Sequence, residues 1–141
     1  GNGRWLYHDL DCDAAGLAPS MWILDVSTPD ASRSYDLDND GMCAYVAHRS
    51  STDLWPPLGT STWNVACDGS WASLDLVIIS LQPPGPPRPP TPPMPPVTPP
   101  TPPWPASLEI SGLCPSRSAY GGSYTAQGTA ASGAPYYTRD S

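Results

Sequence analysis

The chain has 141 residues, of which 21 are Pro, and its formal net charge of −7 comes from 13 acidic residues against six Arg and no Lys. The Arg residues are scattered singly, so the sequence offers no basic patch for a nucleic acid or an anionic membrane surface. The longest apolar run, at 74–81, is far below the ~20 residues that a transmembrane helix needs. We therefore expect no nucleic-acid partner and no membrane insertion.

The N-terminal block, residues 1–82, alternates short apolar runs with clusters of Asp, Gly, Ser and Pro. The runs are rich in aromatic and β-branched residues and are bounded by turn formers, which is typical of strands. No window shows helical spacing over three turns. The block is therefore predicted to be a small, disulfide-linked antiparallel β-domain. Its predicted strands are 4–7, 21–26, 43–47, 61–67 and 74–79.

The next block, residues 83–105, contains 15 of the 21 Pro residues. Proline fixes φ near −65° and removes the backbone donor, so neither a helix nor a sheet can form there. This block is predicted to be an extended polyproline II rod. At about 3.1 Å per residue the rod would span roughly 70 Å.

The C-terminal block, residues 106–141, has three strand-like runs at 107–111, 122–128 and 134–138. They hold too few large apolar side chains to close a core of their own. We expect this β-segment to complete a neighbouring unit by pairing with residues 1–82 of the next copy. Joined end to end, the C-terminus and the following N-terminus would form one β-hairpin. The predicted assembly junction consists of Tyr136, Tyr137, Trp5 and Tyr7.

Four cysteines lie far apart, without a C-x-x-C pair. With only two His in the chain, this spacing argues against a zinc site and favours two disulfides in a secreted protein. Four Cys allow three connectivities, and the sequence does not choose among them. Because no signal peptide is visible, we interpret the sequence as a mature or excerpted segment. The disulfide-forming residues are Cys12, Cys43, Cys67 and Cys114.

Several Asp residues are close together in the sequence and could bind a metal ion. The run 36–41, Asp-Leu-Asp-Asn-Asp-Gly, matches the first half of an EF-hand-type calcium loop, but Ala47 stands where the bidentate Glu would be. The missing acid would have to come from elsewhere, such as 9–13, which a Cys12–Cys43 disulfide would bring close. The alternative is an Asp-rich turn that is capped by its own side chains. The candidate calcium ligands are Asp36, Asp38, Asp40, Asp9 and Asp11.

Nothing in the sequence points to catalysis. His8 and His48 are isolated, no G-x-S-x-G motif is present, and the acidic residues occur in turn-like spacing. We therefore expect no enzymatic activity. Among the tryptophans, the strand-like positions Trp5, Trp22, Trp63 and Trp71 are predicted to be core, while Trp55 and Trp104 are predicted to be exposed.

Several aromatic and glycine landmarks carry a resemblance to a known family. They are the stretches 132–137 (SGAPYY), 4–9 (RWLYHD), 22–25 (WILD), 59–63 (GTSTW) and 67–71 (CDGSW), with Gly122, Tyr124 and Gly128. Together they resemble the repeated extracellular module of algal and protist hydroxyproline-rich glycoproteins, of the flagellar-hair (mastigoneme) or cell-wall type. The module order is permuted here.

The resemblance implies that prolines of the rod are hydroxylated and O-glycosylated. Neighbouring threonines would add further hydroxyl groups. The implied O-glycosylation sites are Thr91, Thr98, Thr101, Pro87, Pro90, Pro93, Pro96, Pro100 and Pro103.

The function that we expect is a structural subunit or repeat of an extracellular, glycosylated fibril, with identical copies and glycans as its partners. One alternative is a secreted carbohydrate-binding module on an O-glycosylated Pro/Thr linker, with exposed Trp faces as the sugar platform. Another is a Pro-rich ligand for SH3 or WW domains, whose cytosolic location conflicts with the expected disulfides.

Overall fold

The computed structural model describes residues 3–81 and 104–140. Eight antiparallel strands form a closed barrel in which each strand pairs with the next and β8 pairs with β1. A short 3₁₀ helix, Pro115–Tyr120, lies between β6 and β7. The strands are β1 Trp5–Asp9, β2 Met21–Asp25, β3 Ala47–Ser50, β4 Gly59–Cys67, β5 Ser70–Ser80, β6 Ser107–Ser111, β7 Gly122–Thr129 and β8 Pro135–Arg139.

The interior of the barrel follows the alternation of the strands. Trp63 and Val65 on β4 and Leu76 and Ile78 on β5 point inward, while most residues between them are exposed. Successive strand residues face opposite sides of a sheet, so this alternation sets the register. The other fully buried interior residues include Leu6, Trp22, Leu24, Ala47, Leu108, Tyr124 and Tyr137.

The C-terminal strands join the N-terminal strands of the same chain around one core. β6 pairs with β5, and β8 pairs with β1. The predicted adjacency of the C-terminal and N-terminal strands is therefore present within the chain. Pairing with another copy stays a prediction, because an exchange of strands between copies would keep the same strand pairs.

Because neighbouring strands are antiparallel, successive connections lie alternately at one end of the barrel and at the other. At one end, the Leu81 N–H donates to the Ser107 carbonyl at 3.0 Å, so the flanks of the Pro-rich connection lie side by side. At the other end, the Arg139 N–H donates to the Arg4 carbonyl at 2.8 Å, beside both chain ends. Residues 83–103 of the predicted rod lie outside the described residues. Of its last two residues, Pro105 is buried.

One predicted strand was misplaced. The run 43–47 was expected to be a strand, whereas β3 begins only at Ala47 and continues to Ser50. Cys43 is instead held in a disulfide with Cys12, which removes it from the sheet. The preceding connection, residues 26–46, is called the covering loop below.

The covering loop packs over the outer face of β1 and β2 and buries a second, smaller cluster. Tyr7 on β1 and Ile23 on β2 form its base, and Leu37 and Tyr45 of the loop lie on top. The Cys12–Cys43 disulfide belongs to this layer, whereas Cys67–Cys114 joins the end of β4 to the connection after β6. Two disulfides are typical of proteins from oxidising compartments.

No helix in residues 3–81 and 104–140 is long and apolar enough to cross a membrane.

Candidate functional site

The covered outer face of β1 and β2 places acidic side chains beneath the covering loop. Tyr7 and Asp9 alternate with inward-pointing residues on β1, and Ile23 and Asp25 do the same on β2, with Tyr7 opposite Ile23. Asp9 and Asp25 are 1% and 3% exposed. Burying two carboxylates is costly unless they find hydrogen-bond donors or cations, so their partners determine what the face can do.

Asp9 fixes the covering loop to the barrel. Its carboxylate accepts the N–H groups of Asp11 at 3.0 Å, Asp36 at 3.2 Å and Leu37 at 2.8 Å. The bonds from Asp36 and Leu37 join segments 27 and 28 residues apart in sequence. Asp9, which the sequence suggested as a calcium ligand, thus has both oxygens engaged with backbone donors.

The carboxylates of Asp36, Asp38 and Asp40 come together in the covering loop. Their closest oxygens all lie within 4.8 Å of one another. The Asp36 carboxylate accepts the N–H groups of Asp40 and Gly41, each at 3.2 Å, and thereby fixes the curvature of the loop. This is the grouping that the Asp-x-Asp-x-Asp-Gly spacing predicted.

Asp25 of β2 lies outside this group but near enough for its charge to act on Asp38, and we call Asp25, Asp36, Asp38 and Asp40 the acidic cluster. Burial, followed by the charge of Asp40, raises the pKa of Asp38 to about 7, and Asp25 contributes to the same rise. Burial also raises the pKa of Asp25, to which the charge of Asp40 adds. Asp25 was not among the predicted ligands, because it lies outside the loop motif. Its position at the end of the apolar run Met21–Asp25 was the available signal.

One cation contacts the acidic cluster in the described part of the chain. Arg33 Nη2 lies 3.6 Å from Asp36 Oδ2, and Arg33 also donates to Asn39. A single guanidinium at the rim leaves an excess of negative charge on four neighbouring carboxyl groups. Like charges at this separation repel one another unless a further cation is present.

Two buried tyrosine hydroxyl groups face the same acidic cluster. Tyr7 is 0% and Tyr45 is 8% exposed, and neither hydroxyl has a hydrogen-bond partner among residues 3–81 and 104–140. Burial raises the pKa of both phenols, and the charges of Asp25 and Asp38 add to the rise for each. The hydroxyl groups therefore lie within electrostatic reach of the cluster as unused donors.

Asp11, the remaining predicted ligand, contributes to the neighbouring turn. Its Oδ2 accepts the Gly16 N–H, while its Oδ1 is buried without a partner in the described residues. Asp11 is joined to the covering loop through its carbonyl, which accepts the Asp36 N–H at 2.8 Å. Of the five predicted ligands, the structure thus brings Asp36, Asp38 and Asp40 into one group. Asp9 and Asp11 lie beside this group and accept backbone N–H groups of the covering loop.

The side chains of the two histidines contact aromatic rings of the fold. His8 is fully buried, and its Nε2 donates to the Ser51 carbonyl at 2.8 Å. Burial lowers the pKa of His8 and of His48. The His48 ring lies edge-on to the rings of Tyr45 and Trp71.

The predicted junction residues lie on both faces of the β8–β1 pair. Tyr137 points into the barrel opposite Leu6, and its hydroxyl donates to the Pro105 carbonyl at 3.1 Å. Trp5 and Tyr136 pack together on the outer face, with ring centroids 6.4 Å apart, against the cluster that contains Tyr7. All four residues contribute to the region where the C-terminal strand meets the N-terminal strand.

The tryptophans only partly follow the sequence prediction. Trp22 and Trp63 are buried, but Trp71, which was predicted to be core, is 53% exposed. The reason is strand alternation, because Leu76 and Ile78 on β5 take the inner face and leave the odd-numbered Trp71 outside. The exposed Trp55 lies in the connection before β4, and Trp71 lies on β5, so the two exposed rings come from different segments.

The implied O-glycosylation sites, from Pro87 to Pro103, lie outside the described residues. The chain matches no protein-family model, no curated protein and no solved structure.

Proposed function

We propose that this chain is a structural subunit, or one repeat, of an extracellular glycosylated fibril in which copies assemble head to tail by strand complementation. The observation that carries the proposal is the position of the two flanks of the Pro-rich connection. Leu81 and Ser107 are joined by a 3.0 Å hydrogen bond between adjacent antiparallel strands.

A straight polyproline II rod is incompatible with that short separation in a single barrel. The sequence of 83–105 favours a rod of roughly 70 Å. If the rod is straight, β6, β7 and β8 reach the barrel of another copy, where they make the same strand pairs. Each copy then gives three strands and receives three, and head-to-tail contacts of this kind extend into a filament when they do not close into a ring.

A tandem repeat would give the same arrangement along one continuous chain. The ends of β8 and β1 are adjacent at the barrel end opposite the Pro-rich connection. A short hairpin from one repeat to the next would then join β8 to β1 inside one barrel. The Pro-rich segments would separate successive barrels, and hydroxylation and O-glycosylation of the segments would stiffen them.

The Cys67–Cys114 disulfide provides the test, because it joins the N-terminal block to the C-terminal block. Strand exchange between separate copies turns it into an intermolecular bond, whereas Cys12–Cys43 stays within one copy. We expect the full chain, produced in an oxidising secretory host, to give a ladder of multimers on non-reducing gels. The ladder should collapse to one chain mass on reduction, and electron microscopy should show filaments.

Two variants sharpen this experiment. Replacing the prolines of 83–103 by Gly and Ser at constant length should restore monomers, because a flexible linker lets β6–β8 return to their own barrel. The Cys12→Ala/Cys43→Ala variant should keep the ladder, and Cys67→Ala/Cys114→Ala should lose it. Dispersed, disulfide-intact monomers of the unaltered chain would overturn the proposal.

A further inference from the structure

We propose that the carboxylates of Asp36, Asp38 and Asp40 hold one calcium ion in the covering loop. The hydrogen bonds of Asp9 fix this loop to β1, so the ion would bind in a loop that the fold already holds in place.

The donor set fits a hard cation. Three carboxylate groups offer oxygens within 4.8 Å of one another, and Ca²⁺ is bound by six to eight oxygen ligands at distances of about 2.3–2.6 Å. The same region has no His or Cys thiolate to favour a transition metal, since Cys12 and Cys43 are oxidised to a disulfide. Mg²⁺ prefers stricter octahedral geometry and keeps several waters, so this crowded set of carboxylates favours Ca²⁺.

The buried tyrosines are a second and independent observation. Tyr7 and Tyr45 are more than nine-tenths buried, and their hydroxyl groups have no acceptor within residues 3–81 and 104–140. Both pack with Leu37, the residue between two of the proposed ligands. A hydroxyl group that donates to the distal oxygen of a ligating carboxylate fixes the orientation of that ligand, as partners of metal ligands commonly do.

The charge balance also favours a divalent ion. The carboxyl groups of Asp36, Asp38 and Asp40 face one guanidinium, that of Arg33, which forms an ion pair with Asp36. Binding Ca²⁺ would offset the excess of negative charge in this group.

The test uses the full oxidised chain after treatment with EDTA. We expect calorimetric titration with CaCl₂ to show one site per chain, and the melting temperature to rise by roughly 10 °C at a hundredfold excess over the Kd. MgCl₂ should give a much smaller rise. Terbium luminescence excited through tyrosine should appear on Tb³⁺ addition and disappear on competition with CaCl₂.

Variants of single residues distinguish a metal-binding site from an acidic turn that binds no ion. Asp38→Asn should weaken calcium binding at least tenfold and stabilise the EDTA-treated protein, because it removes one of several like charges. Asp75→Asn is the matched control, since Asp75 is an exposed acid on β5 bonded to Thr62, and it should leave the calcium titration unchanged. Tyr45→Phe should reduce the terbium emission.

The proposal is overturned if calcium leaves the melting temperature of the unaltered chain unchanged. It is equally overturned if Asp38→Asn and Asp75→Asn weaken binding to the same extent, because the ion would then respond only to net surface charge. The calcium titration does not depend on strand exchange, so its outcome is separate from that of the fibril experiment.

Discussion

The inside of the barrel and its covered outer face are both buried, yet different interactions stabilise them. The interior is almost entirely apolar and aromatic, and its residues alternate along the strands. The covered face has a smaller apolar cluster surrounded by Asp25, Asp36 and other acids, with the covering loop held by hydrogen bonds to Asp9 and by a disulfide. The barrel is thus stabilised by the burial and close packing of apolar side chains, while the loop depends on a few specific polar bonds.

The largest effect that we expect comes from truncating the interior. Trp63→Ala should lower the free energy of unfolding by about 3–5 kcal/mol, because it leaves a cavity in the barrel. Urea unfolding followed by circular dichroism measures this loss. Trp71→Ala on the next strand is the control and should change the free energy by less than about 1 kcal/mol, since that ring is half exposed. Equal losses for the two variants would contradict the assignment of an inner and an outer face.

Removing the disulfide of the covered face should loosen the loop before the barrel. The Cys12→Ala/Cys43→Ala variant should lose about 3 kcal/mol of stability. Hydrogen exchange should show amides of residues 26–46 exposed while those of β4 and β5 stay protected. In the control, Cys67→Ala/Cys114→Ala, we expect protection to fall throughout the barrel together. Uniform loss in the first variant would mean that loop and barrel form one cooperative unit.

The hydrogen bonds of Asp9 should have an intermediate effect. Asp9→Asn places an amide donor against the Leu37 N–H, so a buried donor loses its acceptor at a cost of about 2 kcal/mol. Thermal unfolding at pH 7 measures the change. Asp13→Asn is the matched control, because Asp13 is partly exposed and accepts only the local Ala15 N–H. If Asp13→Asn were as destabilising as Asp9→Asn, the loop would not depend on the long-range bonds.

The smallest effect concerns His8 inside the barrel and appears as a pH dependence. Burial lowers the pKa of His8 in the folded state, so the unfolded chain takes up the proton first as the pH falls below about 6.5. The stability that neutral His8 contributes is therefore present near pH 7.5 and is lost towards lower pH. His8→Gln preserves a donor for the Ser51 carbonyl but does not titrate.

The measurement for His8 is the difference in unfolding free energy between the unaltered chain and His8→Gln. We expect this difference to change in favour of the variant between pH 7.5 and pH 5. A difference that is independent of pH would show that His8 titrates alike in the folded and unfolded states. Other groups, such as Asp38, titrate in both proteins and cancel in the comparison.

The β character of the chain and most strand positions could be predicted from the sequence, because a period of two is a local property of neighbouring side chains. The proximity of Asp36, Asp38 and Asp40 was predictable in the same way, since their spacing in the sequence confines them to one turn. The Pro-rich composition of 83–105 marks the boundary between the N-terminal and C-terminal blocks, each of which needs strands of the other.

The pairing of the strands, the pairing of the Cys residues and the face that carries Asp25 became visible only in the folded chain. Closure of the barrel pairs β8 with β1 across nearly the whole chain, and it leaves one face of β1 and β2 to be covered by a loop. The exposure of Trp71 and the late start of β3 follow from the same packing. These outcomes depend on contacts between residues far apart in sequence, and a local pattern holds no information about them.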